Sequence, residues 1–319
     1  MEQAYIGVDV GGMSIKAGVV DLNGKIIKKA AITTNTKNGS EPFLKDVKTL
    51  LLSMIADAAK LNYKVEGIGF GIPGVVNNKL GTIDYACNLY LYNVPLKDYL
   101  KDLNLPIVVS NDANVAALGE QRWGSAKGYN DVVMITLGTG VGSGIVINNK
   151  LFEGNEGKGA EVGHMTIVVD GHECSCGRHG CFETYASASA LLRLTKEIML
   201  KNKDSEMWDY CEHDIEKVNG LTSFECAKKG DKVANEVIDT YIKYLGEGLL
   251  NICNIFRPEA IVLGGGISNQ KEYLQEKVQK YLDDRWYGYH ETPRVEVIIA
   301  TLKNDAGIIG AATLAFLNK

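Results

Sequence analysis

The chain has 319 residues, of which 45% are hydrophobic and 23% are charged, and its formal net charge is −5 at pH 7. This length exceeds what a single hydrophobic core usually supports, and it predicts two domains or one large α/β unit. The acidic charge argues against binding to nucleic acid or to an anionic membrane surface. Because the apolar stretches fall short of the roughly 20 residues that span a bilayer and no secretion signal opens the chain, we expect a cytoplasmic protein.

The beginning of the chain predicts a strand-rich α/β domain. Three strand patterns follow one another up to residue 33; Gly11-Gly12 lie in the first connection, and Asn23-Gly24, typical of a type I′ turn, lie in the second. Ser40 is placed to cap a helix whose apolar residues repeat at helical spacing over residues 43–58. The segment VEGIGFGIPGVV then predicts a buried strand that enters a turn at Pro73-Gly74.

The middle of the chain repeats the plan of its beginning. LPIVVSNDAN predicts a strand ending at Asn111-Asp112, which cap an Ala-rich helix. DVVMITLGTGVGSGIVINNKLF then gives a strand, a glycine loop, a strand and an Asn148-Asn149 turn, as the opening segment does. Helical patterns follow, and later come the strands AIVLGGGIS and RVEVIIAT and a final helix capped by Asn304-Asp305. The repeat predicts a duplicated α/β domain with a cleft between its halves.

Three glycine loops, at residues 11–12, 138–140 and 264–266, favour phosphate binding. The second has the spacing of a dinucleotide-binding loop, but a strand follows it where that motif needs a helix, and the sequence has no P-loop motif. Glycine removes the Cβ that would keep phosphate oxygens away from backbone N–H groups. Asp9, at the end of the first strand, is placed to hold Mg²⁺ or its water shell. Plain tight turns are the alternative, which the presence of three such loops makes less attractive.

The segment GHECSCGRHGC, at residues 171–181, has the residue types of a zinc site. Cys174, Cys176 and Cys181 supply three thiolates on one tight loop, and tetrahedral Zn²⁺ takes a fourth ligand. Three histidines are candidates for that position, and spacing alone does not choose among them: His164, His172 and His179. A redox pair is the alternative, but no oxidoreductase context surrounds the thiols. The odd total of seven cysteines argues against a disulfide framework.

Taken together, the motifs resemble those of the ROK family, which comprises bacterial sugar kinases and related repressors with actin-like, hexokinase-type ATP-binding elements. The resemblance covers the whole chain and is carried by D-x-G-G at 9–12, S-N-D-A-N at 110–114, L-G-T-G-V-G-x-G at 137–144, G-H at 163–164, C-x-C-G-x-x-G-C-x-E at 174–183 and L-G-G-G-I at 263–267. It implies an α/β fold of duplicated ribonuclease-H-like (actin-like ATPase) domains with an interdomain cleft. We expect an N-terminal domain at 1–112, with a C-terminal helix at 305–319 packing back on it, and a larger domain with the zinc loop at 113–304.

The resemblance implies an ATP-dependent hexose kinase that makes glucose 6-phosphate, with Asp112 as the catalytic base. The sugar-binding residues that it implies are Gly74, Asn111, Asp112, Glu161, His164 and Glu183. The residues that it implies for Mg-ATP binding are Asp9, Gly11, Gly12, Gly138, Thr139, Gly140, Gly264 and Gly265. The ligands that it implies for a structural zinc are His164, Cys174, Cys176 and Cys181.

Several alternatives stay open. N-acetylmannosamine, N-acetylglucosamine, allose and fructose are other acceptors, and the loops at 72–74 and 87–89 are where discrimination is expected. A sugar-responsive repressor is the alternative from another class, but such repressors carry an N-terminal helix-turn-helix segment, whereas here the first strand begins near residue 4 and the chain is acidic.

Two further expectations follow from the resemblance. Met13 stands where the family usually has Thr, so a hydroxyl contact is lost unless Ser14 replaces it, a feature that also favours a binding protein without activity. Relatives are usually dimers, so we expect a homodimer, and the aromatic run YACNLYLYNV at 85–94 is a candidate interface. The same residues are equally suited to the sugar loop or the core.

Overall fold

The computed structural model describes residues 1–37 and 39–318. None of the helices in these two ranges has both the length and the apolar character needed to cross a bilayer. The strands are β1 (Glu2–Val10), β2 (Ser14–Asp21), β3 (Ile26–Thr33), β4 (Tyr63–Ile72), β5 (Val75–Asn77), β6 (Thr82–Ala86), β7 (Leu91–Val94), β8 (Ile107–Asn111), β9 (Val132–Leu137), β10 (Val141–Ile147), β11 (Lys150–Leu151), β12 (Ala260–Gly264) and β13 (Glu296–Ile299). The α-helices are α1 (Ser40–Lys60), α2 (Leu96–Tyr99), α3 (Asp112–Trp123), α4 (Glu183–Ala186), α5 (Ala188–Lys201), α6 (Met207–Tyr210), α7 (Thr222–Lys229), α8 (Lys232–Phe256), α9 (Glu272–Leu282) and α10 (Ala306–Leu317).

Two five-stranded sheets share one strand order, which confirms the internal repeat. The first sheet is ordered β3-β2-β1-β4-β8 and the second β11-β10-β9-β12-β13. In the first sheet, β1, β2 and β3 form an antiparallel meander, and β1, β4 and β8 are parallel. In the second, β10 and β11 are antiparallel and β12 and β13 are parallel. The duplicated α/β architecture predicted from the sequence is therefore observed.

The first compact unit consists of the described residues within Met1–Met134, Gly144–Ala160 and Ala300–Lys319. The apolar face of α1 packs on β2, β3 and β4, while α10 packs on β1, β4 and α3. Glycine in the strands makes the second contact possible, because a Cβ at Gly7 or at Gly69 would lie 1.8 Å from a backbone carbonyl oxygen of α10.

The second compact unit consists of Ile135–Ser143 and Glu161–Ile299. Its longest helix, α8, packs on α4, α5, α7 and α9. The α8 face that these helices cover is almost entirely apolar, and Tyr241 at its centre is fully buried, with its hydroxyl donating to the Ala186 carbonyl oxygen at 2.7 Å. This unit carries the cysteine-rich segment.

The observed units divide the chain differently from the predicted domains at 1–112 and 113–304. The first unit continues through α3 to Met134 and takes up residues 144–160 again, since α3 packs on α10 and β4. The returning C-terminal helix expected at 305–319 is α10 (Ala306–Leu317), which lies in the first unit. Lys319, the last residue of the expected range, lies outside the described residues.

Three predicted local signals are corrected by the structure. At Asn23-Gly24 only Gly24 has positive φ, and the Asp21 carboxylate accepts from the amides of Asn23 and Lys25, so the turn has three residues and is not type I′. The Asn148-Asn149 turn does have type I′ geometry, with φ of 51° and 61°.

The other two corrections concern helix caps. Ser40 is the first residue of α1 and not its cap, because the N-cap is Gly39, with φ of 95°. Asp305 makes no side-chain cap for α10, because its carboxylate pairs with Lys29 instead.

Candidate functional site

Asn111 and Asp112 lie where β8 ends and α3 begins, the position predicted for an acceptor carboxylate. The Asn111 side chain caps α3 by accepting from the Ala113 amide at 2.8 Å, and its Nδ2 donates to the Gly74 carbonyl oxygen at 3.1 Å. Asp112 Oδ1 also accepts from the Ala113 amide, at 2.9 Å. The amide and the carboxylate are therefore fixed on the first turn of α3, whose positive end favours the ionised carboxylate.

Gly74 closes the turn between β4 and β5, next to this strand end. Its φ is 97°, and a Cβ at this position would lie 2.3 Å from the Tyr85 carbonyl oxygen. Both the backbone conformation and the space require glycine here. The structure thus brings Gly74, Asn111 and Asp112 together in the first unit.

Asp9 and the first glycine loop (Gly11–Met13) connect β1 to β2. The Asp9 carboxylate is partly buried, which raises its pKa, and Lys16 Nζ at 3.9 Å acts in the opposite direction. Thr34 holds the loop, because its Oγ1 donates to the Gly11 carbonyl oxygen at 2.6 Å. The Met13 side chain is 88% exposed. The exposed part of the loop is therefore Gly12 and Met13, and a partly buried carboxylate precedes it in the chain.

The second glycine loop (Gly138–Gly140) connects β9 to β10 and is tied to the helices that follow the cysteine-rich segment. The Ala188 amide donates to the Gly138 carbonyl oxygen at 2.7 Å, and Ser189 Oγ donates to the Thr139 carbonyl oxygen at 2.8 Å. A Cβ at Gly140 would lie 2.1 Å from Glu183 Oε2. The loop and Glu183 are thus packed against each other.

The third glycine pair, Gly264 and Gly265, ends β12. Gly265 has φ of 80°, and a Cβ there would lie 2.5 Å from the Leu137 carbonyl oxygen. A 3-10 turn over Gly266–Gln270 follows, in which Ser268 Oγ donates to the Gly265 carbonyl oxygen at 2.7 Å. Close packing of two backbones explains Gly265.

The second unit contains three ionisable side chains that interact electrostatically: Glu161, His164 and Glu183. Desolvation raises the pKa of Glu161, the neighbouring His164 lowers it and the Glu183 carboxylate raises it. Glu183 Oε2 accepts from the Val141 amide at 2.9 Å, which fixes this carboxylate on the second glycine loop. These three side chains, which the family resemblance assigns to the sugar, are therefore near one another.

His164, Cys174, Cys176 and Cys181 form a compact Cys3His cluster. Their ligand atoms lie within 4.8 Å of one another. The Cys174 Sγ to His164 Nδ1 and the Cys176 Sγ to Cys181 Sγ distances are both 3.6 Å. Zn–S and Zn–N bond lengths in a tetrahedral site give ligand-to-ligand distances of about 3.5 to 3.8 Å. The donor set and its spacing fit a four-coordinate zinc ion.

The structure chooses among the three candidate histidines. His164 belongs to the cluster, whereas His172 packs its ring on Tyr185 with centroids 5.2 Å apart, and His179 is exposed. All three cluster cysteines are free thiols. Burial, with its neighbours' hydrogen bonds, raises the pKa of Cys181 to about 12, whereas the backbone N–H of Arg178 lowers the pKa of Cys176.

Sequence reasoning missed two residues that support these loops. Thr34 is 23 residues from the Gly11 carbonyl that it holds, and the sequence around it has no motif that marks this role. The Tyr185 hydroxyl oxygen accepts from the His172 amide at 2.9 Å, and the two rings lie against each other with centroids 5.2 Å apart. No spacing in the sequence marks this contact.

Comparisons with known proteins place the whole chain among sugar kinases and their relatives. The glucokinase of Halalkalibacterium halodurans is 37% identical over 317 residues, which is 97% of this chain and 94% of that protein. The crystal structure of a ROK family glucokinase from Streptomyces griseus in complex with glucose and AMPPNP is 36% identical and has a TM-score of 0.79, with 98% of this chain and 99% of that chain covered. The xylose repressor of Caldicellulosiruptor bescii is 30% identical over 98% of this chain and 77% of the repressor.

These similarities agree with the two matching sheets and with the motifs read from the sequence. The chain has the duplicated ribonuclease-H-like α/β fold of the actin-like ATPases, as predicted. A family model described as "ROK family" matches residues 5–317, and this protein therefore belongs to the ROK family.

Proposed function

We propose that this chain is an ATP-dependent hexose kinase that phosphorylates glucose to glucose 6-phosphate. The observation that carries the proposal is the N-D-A-N segment, which fixes the Asp112 carboxylate at the start of α3 beside a capping Asn111. It is supported by 36% identity to a glucokinase solved with glucose and an ATP analogue. This activity belongs to carbohydrate metabolism, at the entry to glycolysis.

Asp112 acts as the general base. Its carboxylate accepts the proton of the sugar 6-hydroxyl as that oxygen attacks the γ-phosphorus of ATP, and the bond from the γ-phosphorus to the bridging oxygen breaks to release ADP. Asn111 has its Oδ1 and Nδ2 engaged with Ala113 and Gly74, so its proposed contact with the sugar ring uses the second acceptor or donor site of the same amide. Positioning of the hydroxyl and the carboxylate supplies much of the rate.

The glycine loops and Asp9 are assigned to Mg-ATP. Gly11, Gly12, Gly138, Thr139 and Gly140 are assigned to the phosphate oxygens, and Asp9 is assigned to the magnesium ion or its water shell. The Gly11 and Gly138 amides already donate to the carbonyl oxygens of Ser14 and Gly140, both at 3.0 Å, so these two residues are assigned for the space that glycine leaves. Gly264 and Gly265 are assigned to the adenosine end. The local structure supports the assignment of Gly11 and Gly12 to phosphate. A Cβ at Gly12 would have no atom within 4 Å, and neither residue has positive φ, so the backbone conformation does not require glycine at either position.

Glu161, His164 and Glu183 are assigned to the hydroxyls of the sugar. Sugar hydroxyls donate and accept, and this group of side chains offers both functions. Glu183 Oε2 already accepts from the Val141 amide, so its second oxygen is the one proposed for the sugar. His164 directs Nδ1 to the cluster, which leaves Nε2 as the atom proposed to face the sugar.

The Cys3His cluster is proposed to hold a structural zinc ion. Four protein ligands leave no open position for a reacting water, so a zinc ion here supplies cross-linking and charge stabilisation of thiolates. The cluster residues fix the segment between residues 164 and 183, and with it Glu183. Zinc content by mass spectrometry of the native protein tests the assignment.

An ADP-release assay with purified protein, Mg-ATP and a panel of hexoses tests the proposed activity. We expect turnover with glucose, and a loss of about 100- to 10,000-fold in kcat for Asp112→Asn. Asp98→Asn is the matched control, because Asp98 is an exposed aspartate of the same unit that pairs with Lys101, and we expect it to keep full activity. Turnover that survives in Asp112→Asn would refute the assignment of the base.

The same panel separates the alternatives. Turnover with only N-acetylmannosamine, N-acetylglucosamine, allose or fructose would keep the mechanism and change the acceptor. Absence of turnover in folded, zinc-loaded protein that still binds a sugar would favour a sensor, a reading supported by the xylose repressor similarity over 98% of this chain.

A homodimer and a cytoplasmic location stay predictions. Tyr85, Tyr90 and Tyr92 of the aromatic run are 48%, 69% and 54% exposed, whereas Leu89 and Leu91 of the same run are buried. The run is therefore divided between surface and core. Light scattering during size-exclusion chromatography, repeated with Tyr90→Ser and Tyr92→Ser, tests whether its exposed face forms a dimer interface.

A further inference from the structure

Glu153 is a carboxylate that the predicted mechanism does not use, yet it contacts the strand that ends at the proposed base. Its Oε1 accepts from Ser110 Oγ at 2.5 Å, and its Oε2 accepts from Asn78 Nδ2 at 3.1 Å. Ser110 is fully buried and lies in β8, two residues before Asp112. One carboxylate therefore joins β8 to the turn that follows β5.

The turn that contains Asn78 belongs to the same part of the fold as Gly74. β5 begins directly after Gly74 and ends one residue before Asn78. Asn111 already connects β8 to Gly74 through its Nδ2. The Glu153 carboxylate is thus a second connection between the strand end and this segment, on the far side of β5.

Glu153 is itself held by its own loop, which we name the carboxylate loop (Glu153–Lys158). Glu156 Oε2 accepts from Asn77 Nδ2 at 3.2 Å, and the Asn78 amide donates to the Glu156 carbonyl oxygen at 3.2 Å. Lys158 Nζ pairs with Asp84 at 2.9 Å. These contacts fix the carboxylate loop on β5 and β6, so Glu153 reaches Ser110 from a defined position.

Ser110 is fully buried and Glu153 is half-buried, so the bond between them is partly shielded from water, which strengthens it. Loss of Glu153 would leave the buried Ser110 hydroxyl and the Asn78 side-chain amide without this acceptor. We expect β8 to shift so that the Ser110 hydroxyl reaches another acceptor. A misplacement of about 1 Å at a reacting group costs up to about 100-fold in rate. A shift of β8 would move Asp112 directly, because only Asn111 separates it from Ser110.

We propose that Glu153 is a positioning residue for phosphoryl transfer, which sets Asp112 by holding Ser110 and Asn78 together. The inference rests on the proposed kinase function and adds to it a residue outside the sugar and ATP sites. Glu153 acts through β8 and does not touch the sugar. Its effect is accordingly expected in kcat for the sugar and not in the KM for ATP.

The test compares steady-state kinetics of the full-length protein with those of Glu153→Ala and Glu153→Gln. Wild-type turnover is measured first, because its absence would defeat the proposed function and not the positioning role. In Glu153→Ala we expect kcat to fall by about 10- to 100-fold while the KM for ATP changes by less than about twofold. Glu153→Gln should recover most of kcat, because its amide can donate to Ser110 Oγ and accept from Asn78.

Glu156→Ala is the matched control, since it removes the neighbouring carboxylate of the same loop and the bond to Asn77. We expect it to lower the unfolding temperature by less than Glu153→Ala does, because the Glu156 side chain is 40% exposed, while keeping kcat within about twofold. Equal losses of kcat in both variants would mean that only loop docking matters and would overturn the proposal, as would wild-type kcat in folded Glu153→Ala.

Ser110→Ala keeps the proposal testable if Glu153→Ala does not fold. It removes the donor at 2.5 Å and leaves Glu153 bonded to Asn78. We expect a loss in kcat of about 5- to 10-fold with the KM for ATP changed by less than about twofold, because the change moves Asp112 and leaves the ATP site alone. Wild-type kcat in folded Ser110→Ala would contradict the positioning role.

Discussion

The two glycine loops occupy equivalent places in the two sheets, yet they need glycine for different reasons. In the second loop a Cβ at Gly140 would lie 2.1 Å from Glu183 Oε2, so a larger residue would displace this carboxylate from the Val141 amide. In the first loop a Cβ at Gly12 would have no atom within 4 Å, and Gly11 would meet only the Ser14 carbonyl oxygen, at 3.0 Å. Neither Gly11 nor Gly12 has positive φ.

This difference separates structural glycine from glycine that serves a ligand. Where neither backbone conformation nor packing requires glycine, its value lies in the open space that a missing Cβ leaves. The first loop therefore carries the stronger local indication of a phosphate contact. The second loop is a rigid part of the segment that holds Glu183 and the Cys3His cluster.

Among changes that test the difference between the two glycine loops, we expect the loss of a cluster ligand to have the largest effect. Glu183 follows the cluster ligand Cys181 by two residues, and its Oε2 accepts from the Val141 amide, so the cluster supports the second loop through this segment. In Cys176→Ser we expect loss of bound zinc, a fall of more than about 5 °C in unfolding temperature and a fall in kcat of more than about 100-fold. Zinc analysis, calorimetry and the ADP assay measure the three effects.

Cys87→Ser is the control for zinc content and unfolding temperature, because Cys87 is also an exposed thiol but lies outside the cluster. Hydrogen exchange adds a regional measurement. In Cys176→Ser, peptides covering residues 138–141 should exchange faster, while those covering residues 11–14 keep their wild-type rate. Faster exchange in both loops would show that the cluster supports the fold as a whole and not the second loop.

A methyl group added to the second loop at Gly140 should have a smaller effect on stability and activity than the loss of a cluster ligand. In Gly140→Ala the new methyl group displaces the Glu183 carboxylate and breaks its bond to the Val141 amide, which should cost about 1 to 3 kcal/mol of unfolding free energy. We expect kcat/KM for glucose to fall at least about tenfold, because Glu183 is also assigned to the sugar. Denaturant unfolding and steady-state kinetics give both numbers.

Gly220→Ala is the matched control, as a Cβ at Gly220 in the same unit would have no atom within 4 Å. It should change stability by no more than about 0.5 kcal/mol. A Gly140→Ala variant as stable as Gly220→Ala would show that Glu183 moves aside without cost, and the contrast between the loops would fail.

Crowding the first loop should affect function without affecting stability. In Gly12→Ala we expect the unfolding free energy to stay within about 0.5 kcal/mol of wild type, because the methyl group meets open space. The KM for ATP should rise about 10-fold or more, since the methyl group occupies the space assigned to a phosphate oxygen. An unchanged KM for ATP would remove the phosphate assignment from Gly12 and leave it an unconstrained turn residue.

The sequence predicted the repeated sheets because their signals are local. The alternation of apolar strands, glycine turns and capping residues recurs at both hairpins, and both sheets have the predicted plan. The position of Asn111 as helix cap was likewise set by its immediate neighbours. The Cys3His spacing was local for the three thiols, but it did not choose the histidine. The family resemblance implied His164, and the fold places its Nδ1 3.6 Å from Cys174 Sγ.

What the sequence did not predict depends on contacts between distant segments. Glu153 meets Ser110 across 43 residues, and Thr34 meets Gly11 across 23, so no spacing rule connects either pair. The observed first unit extends beyond residue 112, because the packing of α3 on α10 joins two segments far apart in the chain. The type I′ turn predicted at Asn23-Gly24 was wrong for a local reason. The Asp21 carboxylate accepts from two turn amides and favours a three-residue turn.

Met13 offers the mildest test of the first loop. Its side chain is 88% exposed, beside Gly12, and a threonine hydroxyl at this position would add a donor where a phosphate oxygen is assigned. In Met13→Thr we expect the KM for ATP to fall about threefold to tenfold, as a hydrogen bond to a charged group contributes about 1.5 to 3 kcal/mol before ordering costs. Met13→Val is the control, because valine has the shape of threonine without the hydroxyl, and it should leave the KM for ATP unchanged. Equal effects of both variants would assign the change to loop stiffness, since both side chains are β-branched. No effect of either would mean that the backbone of Gly11-Gly12 already supplies the contacts of this loop with the phosphates.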